Sequence, residues 1–152
     1  IPELIPTLLE KMLEGNDMVI ASRYKEGAKS EDDDRVTSFG NWLFTKTVNL
    51  LHGAHLTDAM VIFRAYRTSL PEELGLMEDE AYHYVECLFR TRISWEPLLS
   101  VRSARARLRV AEIAGDEPAR IGGTRKLQVL RWGAAYYSQF WCEAFHPWNR
   151  SF

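Results

Sequence analysis

The sequence predicts an α/β architecture. Three short apolar runs, at residues 17–22, 59–66 and 108–113, have the length and composition of strands. Longer segments separate them, with apolar residues at three- and four-residue spacing, the period of a helix packed on one side. Glycine and proline punctuate the boundaries. Such alternation implies helices layered on a sheet.

The elements follow in order. Residues 2–14 read as a helix, with Leu4, Ile5, Leu8, Leu9, Met12 and Leu13 at helical spacing and Gly15 as its stop. Residues 17–22 (DMVIAS) form a short run suited to a buried strand. Residues 23–34 (RYKEGAKSEDDD) are a polar loop. Asp34 is placed to cap a helix over 36–51, in which Phe39, Trp42, Leu43, Thr47, Leu50 and Leu51 share one side and Gly53 ends the run. Residues 59–66 (AMVIFRAY) are strand-like. Pro71 opens a short helical piece, and 79–92 and 95–105 are helices, Pro97 being tolerated in a first turn. Residues 108–113 (LRVAEI) alternate as a strand, 115–124 (GDEPARIGGT) are a loop, and a last helix runs from Lys126 to about Phe145. The chain divides into a body, 1–114, and a basic loop with an amphipathic helix, 115–152. Three short strands are few for a doubly wound sheet, and the chain opens on Ile1 and enters a helix at once. A segment upstream is therefore expected.

Composition narrows the class. The 152 residues are 46% apolar and 26% charged, a balance that buries a core and excludes general disorder. No apolar run reaches the length of a membrane span. Cys87 and Cys142 lack the spacing of a zinc site or disulfide framework, which fits a cytoplasmic, reducing compartment. The net charge of −2 argues against a nucleic-acid binder. Charge is nevertheless uneven. Residues 1–34 carry nine acidic and four basic side chains, whereas 90–131 carry ten basic and four acidic, which hints at an anionic partner. Arg102, Arg105 and Arg109 within that basic stretch read as a solvated helix face.

Four constellations could carry chemistry. Ser22-Arg23-Tyr24 follows a strand, where ligands of open α/β sheets gather, and Arg23 there would either grip a phosphate or cap a helix. Glu31-Asp32-Asp33-Asp34 is an acidic loop whose carboxylates would meet a cation or sugar hydroxyl, or simply solvent with Asp34 as cap. Arg120-Ile121-Gly122-Gly123-Thr124-Arg125-Lys126 pairs glycines with cations ahead of a helix, the makings of an anion site or a surface loop. Gln128, Arg131 and Trp132 share a helix face, unless Trp132 belongs to the core. Leu127, Leu130, Ala134, Tyr137, Trp141 and Phe145 form an apolar stripe expected to pack on the domain's own sheet; its other use is as an interfacial or partner-binding helix.

Taken in order, the runs IPELIPTLLEKMLEGNDMVIASRY, DDDRVTSFGNWLFTKTVNLL, DAMVIFRAYR, LRVAEI and EPARIGGTRK resemble family 2 glycosyltransferases, particularly the branch like dolichol-phosphate mannosyltransferase, over about residues 1–130. The resemblance implies the C-terminal part of a GT-A fold. The nucleotide-binding half with its DxD metal motif, about a hundred residues, would then lie upstream. Asp32-Asp33-Asp34 is not that motif, since it follows the SRY strand. The resemblance makes Arg23 and Arg35 phosphate contacts, sets Ser38 and Asn41 on the helix that follows, and makes Arg120 and Lys126 the cations of a loop closing over the donor diphosphate. The family often has Ser-Gly where Val61-Ile62 stand here and Ser where Arg125 stands. Gln128, Arg131 and Trp132 look like the QxxRW motif of processive relatives, a chance match or a shared ancestral position.

The implied reaction moves a sugar from a nucleotide-diphosphosugar to a lipid-phosphate or hydroxyl acceptor, at the cytoplasmic membrane face. A divalent metal, Mg or Mn, with ligands mostly upstream, would stabilise the departing diphosphate together with Arg120 and Lys126. A lipid phosphate needs no general base. A hydroxyl does, and Asp33, Asp34 and Glu96 are the candidates. Peripheral membrane contact and a homo-oligomer are compatible with this reading. The alternative is an inactive α/β fragment, or an interaction module with a basic phosphate-binding face.

Overall fold

A computed structural model describes residues 2–32, 34–119 and 129–145. After a single 3-10 turn, Pro2–Leu4, the elements are α1 (Ile5–Leu13), β1 (Met18–Ser22), α2 (Arg35–His52), β2 (Arg64–Tyr66), α3 (Leu70–Glu73), α4 (Glu80–Phe89), α5 (Glu96–Arg105), β3 (Val110–Ala114) and α6 (Val129–Phe145). The α/β class expected from sequence is the class observed.

The sheet has the order β2-β1-β3. β1 is antiparallel to β2, with Ile20 opposite Arg64, and parallel to β3, with Met18 opposite Val110 and Ser22 opposite Ala114. All five residues of β1 are buried, which explains its unbroken apolar run. Met18 and Ile20 point into the larger core, with Phe44 and Val48 of α2, Leu98, Leu99 and Val101 of α5, and Phe140 of α6. Val19 and Ala21 point the other way, onto Leu8 of α1 and Ile113 of β3. The period of two along β1 thus separates a single-helix layer from a multi-helix layer.

Helix limits follow local chemistry. The Asp34 carboxylate accepts from the N–H groups of Val36 (2.9 Å) and Thr37 (2.8 Å), and the Thr37 hydroxyl accepts from the Asp34 N–H (3.1 Å), a capping box that starts α2. Gly53 ends it at φ 65°, a left-handed conformation that glycine adopts without strain.

The structure corrects four expectations. The strand expected over 59–66 begins only at Arg64, because the Asp58 carboxylate captures the N–H groups of Met60 (3.2 Å) and Val61 (3.1 Å) and holds that segment as a turn. The expected apolar side of α2 is split: Thr47 is buried and Leu43 and Leu51 are half-buried, but Phe39, Trp42 and Leu50 are exposed, and Asn41, Phe44, Thr45 and Val48 are buried instead. Arg102 is not solvated. It is buried, donating to both Glu143 carboxylate oxygens (2.7 and 3.1 Å) and to the carbonyls of Leu74 and Gly75 (2.7 and 2.9 Å). Finally, α6 packs through Ala135, Gln139, Phe140 and Glu143; of its expected stripe, Tyr137 packs on the core, Leu130, Ala134, Trp141 and Phe145 are exposed instead of lying on the sheet, and Leu127 lies outside the described residues.

Candidate functional site

The carboxyl ends of β1 and β3 lie side by side, since the two strands are parallel. Ligands of α/β sheets collect outside such ends. Here a chain of polar side chains closes over them. Ser22, the last residue of β1, is buried, and its hydroxyl lies 2.5 Å from that of Thr57 while accepting from the N–H groups of Tyr24 and Lys25. This turns the backbone sharply and aims Arg23 at Asp58.

Asp58 is fully buried and receives Arg23 through two parallel bonds, Nε to Oδ2 at 2.7 Å and Nη2 to Oδ1 at 3.1 Å. The remaining Arg23 nitrogen, Nη1, donates to Glu117 at 3.1 Å. Burial alone would lower the Arg23 pKa; hydrogen bonds and charge from Asp58, with Glu117 behind them, outweigh it and raise it. Glu117 also accepts from the Ser30 hydroxyl (2.6 Å), and a parallel bridge between Ser30 and Glu117 ties the loop after β1 to the segment after β3.

Glu112, on β3, holds the same region from below. Its carboxylate accepts from the N–H and hydroxyl of Thr57 (2.9 and 2.8 Å) and from the Asp58 N–H (3.3 Å). On the other side of Asp58, Arg64 donates to the Ser100 hydroxyl (2.9 Å), to the Glu96 carbonyl (3.3 Å) and to the Val61 carbonyl. Burial lowers the Arg64 pKa to about 10, with the charges of Asp58 and Glu96 opposing the shift, so it remains cationic at neutral pH. Beside this network lies a cleft of about 250 Å³, lined by Ala21 and Arg23, by Met60–Phe63 on one wall and by Gly115–Pro118 on the other. Gly115 lets the second wall approach, since a Cβ there would meet the Ala21 Cβ at 2.8 Å.

The site residues expected from sequence fall in different places. Arg23 sits in the network, with two carboxylates as its partners. Asp34 spends its carboxylate on the start of α2. Arg35 is exposed in the first turn of that helix, Ser38 is half-buried, and Asn41 is buried with its carbonyl oxygen unpartnered. Glu96 opens α5 and carries a buried carboxylate oxygen with no partner. Arg131 donates to the Phe89 carbonyl (2.6 Å) and so closes the end of α4, while Trp132 is half-buried beside it on α6. Asp33, Arg120, Lys126 and Gln128 lie outside the described residues.

Sequence reasoning did not single out Asp58, Glu112 and Glu117. The available signal was an acid set within or against an apolar strand run, DAMVIF and LRVAEI, since a carboxylate there is either buried and paired or out of place. Among the described residues, no group of three His, Cys, Asp or Glu side chains is disposed to hold a metal ion. Asp58, Glu112 and Glu117 already accept from guanidinium, hydroxyl and amide donors, so they do not fit a divalent-metal cage.

No protein-family model, curated protein or solved structure matches this chain.

Proposed function

We propose that this chain is part of the catalytic domain of a glycosyltransferase of the family 2 type, which moves a sugar from a nucleotide-diphosphosugar to a polyprenyl phosphate or a hydroxyl acceptor. One observation carries the reading. Arg23, Asp58, Glu112 and Glu117 come from four separate runs of the resemblance, SRY, DAMVIFRAYR, LRVAEI and EPARIGG, and they are linked by hydrogen bonds at one end of the sheet, beside the cleft. Residues far apart in sequence that converge on the ligand-gathering end of an α/β sheet are what a site requires.

Roles follow from the bonds. Arg23 is a positioning residue: its charge is balanced by Asp58 and Glu117, and it fixes both cleft walls relative to β1. From Pro118 on the rim, the chain continues towards Arg120 and Lys126, cations suited to charge that grows on a departing diphosphate. Arg35, exposed at the start of α2, suits a lipid phosphate, an acceptor that is already an anion. A hydroxyl acceptor would need a base, and the unpartnered Glu96 carboxylate oxygen favours Glu96 over Asp34. No step is assigned to a metal held by the described residues.

The test is transfer of radiolabelled sugar from UDP- and GDP-sugars to polyprenyl phosphate, or to a sugar acceptor, by the full-length product of the gene. Label should enter the acceptor fraction and be lost in Asp58→Asn. Absence of transfer to either acceptor class from every donor would overturn the reading.

A further inference from the structure

We infer that the outward face of α4 is half of a zinc site, completed by the same face of a second copy of this chain. His83 and Cys87 stand one turn apart on α4, and both are exposed. The Cys87 sulfur lies 3.7 Å from His83 Nε2 and 3.9 Å from Nδ1. Zinc bonds of about 2.3 Å to sulfur and about 2.0–2.1 Å to nitrogen, opened to the tetrahedral angle, set the two ligand atoms about 3.5 Å apart. The pair therefore has nearly the span of one edge of a tetrahedral site. Two thiolates and two imidazoles in that array are a donor set that selects zinc over harder cations.

One chain supplies only that edge. Among the described residues, no third His, Cys, Asp or Glu joins the pair in a metal-holding group. Glu86, on the same helix, spends its carboxylate on the Ile93 N–H and on Arg92, both at 3.1 Å.

Symmetry supplies the other edge. α4 packs on α6 and buries Val85. His83 and Cys87, each two residues from Val85, lie on the opposite side of the helix. Glu80, His83, Cys87 and Arg90 follow one another at steps of three, four and three, so they share that outward side. Glu80 and Arg90 are exposed, stand equally far from the middle of the His83–Cys87 pair, and have no ion-pair partner among the described residues. A two-fold axis through that middle runs two α4 helices antiparallel. It sets His83 of each copy against Cys87 of the other, and Glu80 of each against Arg90 of the other. A parallel pairing would instead oppose like charges. Charge complementarity thus selects a second copy in the antiparallel sense. A helix of ten residues buries too little surface for a stable dimer by itself, so association requires the metal. On binding, each Cys87 thiol gives its proton to solvent, and the two thiolates balance one Zn²⁺. The inference does not depend on glycosyl transfer.

The test is sedimentation velocity of the 152-residue chain, kept reduced with a phosphine, with and without zinc. The metal-free chain should be a monomer, and zinc should convert it to a dimer holding one metal for two chains, reversed by EDTA. Cobalt(II) in place of zinc should show the visible absorption of tetrahedral thiolate ligation. His83→Ala and Cys87→Ser should each weaken the zinc-dependent association by about a hundredfold or more, since each removes two of the four ligands. Glu80→Arg should weaken it about fivefold, and Glu80→Arg with Arg90→Glu should restore it. All these side chains are exposed, so circular dichroism and melting of the metal-free variants should be unchanged. No dimer with zinc, or one zinc per chain without association, overturns the inference. A dimer that forms without zinc, or only when the phosphine is omitted, overturns it too, the latter as a Cys87 disulfide. Charge reversal without effect overturns the antiparallel arrangement.

Discussion

Replacing Asp58 by Asn tests the network at the sheet end directly. The Asp58 carboxylate is fully buried and the Arg23 side chain only 13% exposed, so the substitution leaves a guanidinium facing a neutral amide in a poorly hydrated site. Losing one partner of a buried pair costs about 3–5 kcal/mol. The lower end applies here for two structural reasons. Arg23 keeps Glu117 at 3.1 Å, and an Asn side chain retains an oxygen that can still accept from the Met60 and Val61 N–H groups. The expected loss is therefore about 3 kcal/mol, a large share of the ~5–15 kcal/mol of a typical domain. Urea unfolding followed by tryptophan fluorescence measures it, with the slope m checked for constancy. In a cycle with Arg23→Met, the second substitution should cost far less once the first is present, giving a coupling of about 2 kcal/mol. A loss below about 1 kcal/mol, or strict additivity of the two, would refute the claim that this pair holds the cleft.

Three further outcomes are expected. Gly115→Ala should destabilise by about 1–3 kcal/mol by the same unfolding assay, because its Cβ would meet Ala21 side chain and backbone at 2.8–3.2 Å. His52 should give the protein an acid limb. Burial and the charge of Arg105 hold its pKa below the usual 6.5, with Glu143 opposing, and its Nε2 is buried without a partner. Its stabilising contribution is complete above pH 6.5 and is lost as pH falls through the lower folded value, so urea midpoints should decline over that window and His52→Asn should flatten the decline. Under the proposed glycosyl transfer, Arg120→Ala and Lys126→Ala should each lower kcat by the equivalent of about 2–4 kcal/mol with little change in KM, since charge on a departing diphosphate would grow in the transition state; a pure KM effect would move these cations to ground-state binding.

Much of the fold could be read from local chemistry. β1 was legible because all its residues are buried and apolar enough to form an unbroken run, and α2 because Asp34 and Gly53 mark its ends. Orientation was not. The buried side of α2 includes Asn41 and Thr45, which a hydrophobic pattern reads as outward, beside Thr47. Thr45 is buried because its hydroxyl accepts from the Ala59 N–H at 3.0 Å, and Thr47 because its hydroxyl donates to the Leu43 carbonyl at 2.8 Å. Arg102 misled in the same way, since its partner Glu143 lies on a helix that sequence spacing does not connect to it. At the site, Arg23 was visible as a cation after a strand. Asp58 and Glu112 were not, because their meaning comes from each other and from Arg23, and tertiary pairing alone brings them together.

The position of β1 also governs the order in which the molecule can assemble. It is the central strand of the three, yet its parallel partner begins only at Val110. At translation rates of about 5–20 residues per second, Met18–Ser22 waits on the order of 5–20 s for β3 to be synthesised. Through that interval an apolar, β-prone segment is available to other chains as well as to its own. Closing β1 against β3 is a long-range parallel pairing, the slowest kind of contact to form. Refolding should therefore be limited by this step, and α1, which needs both strands to cover Leu8, should acquire protection from hydrogen exchange only after it.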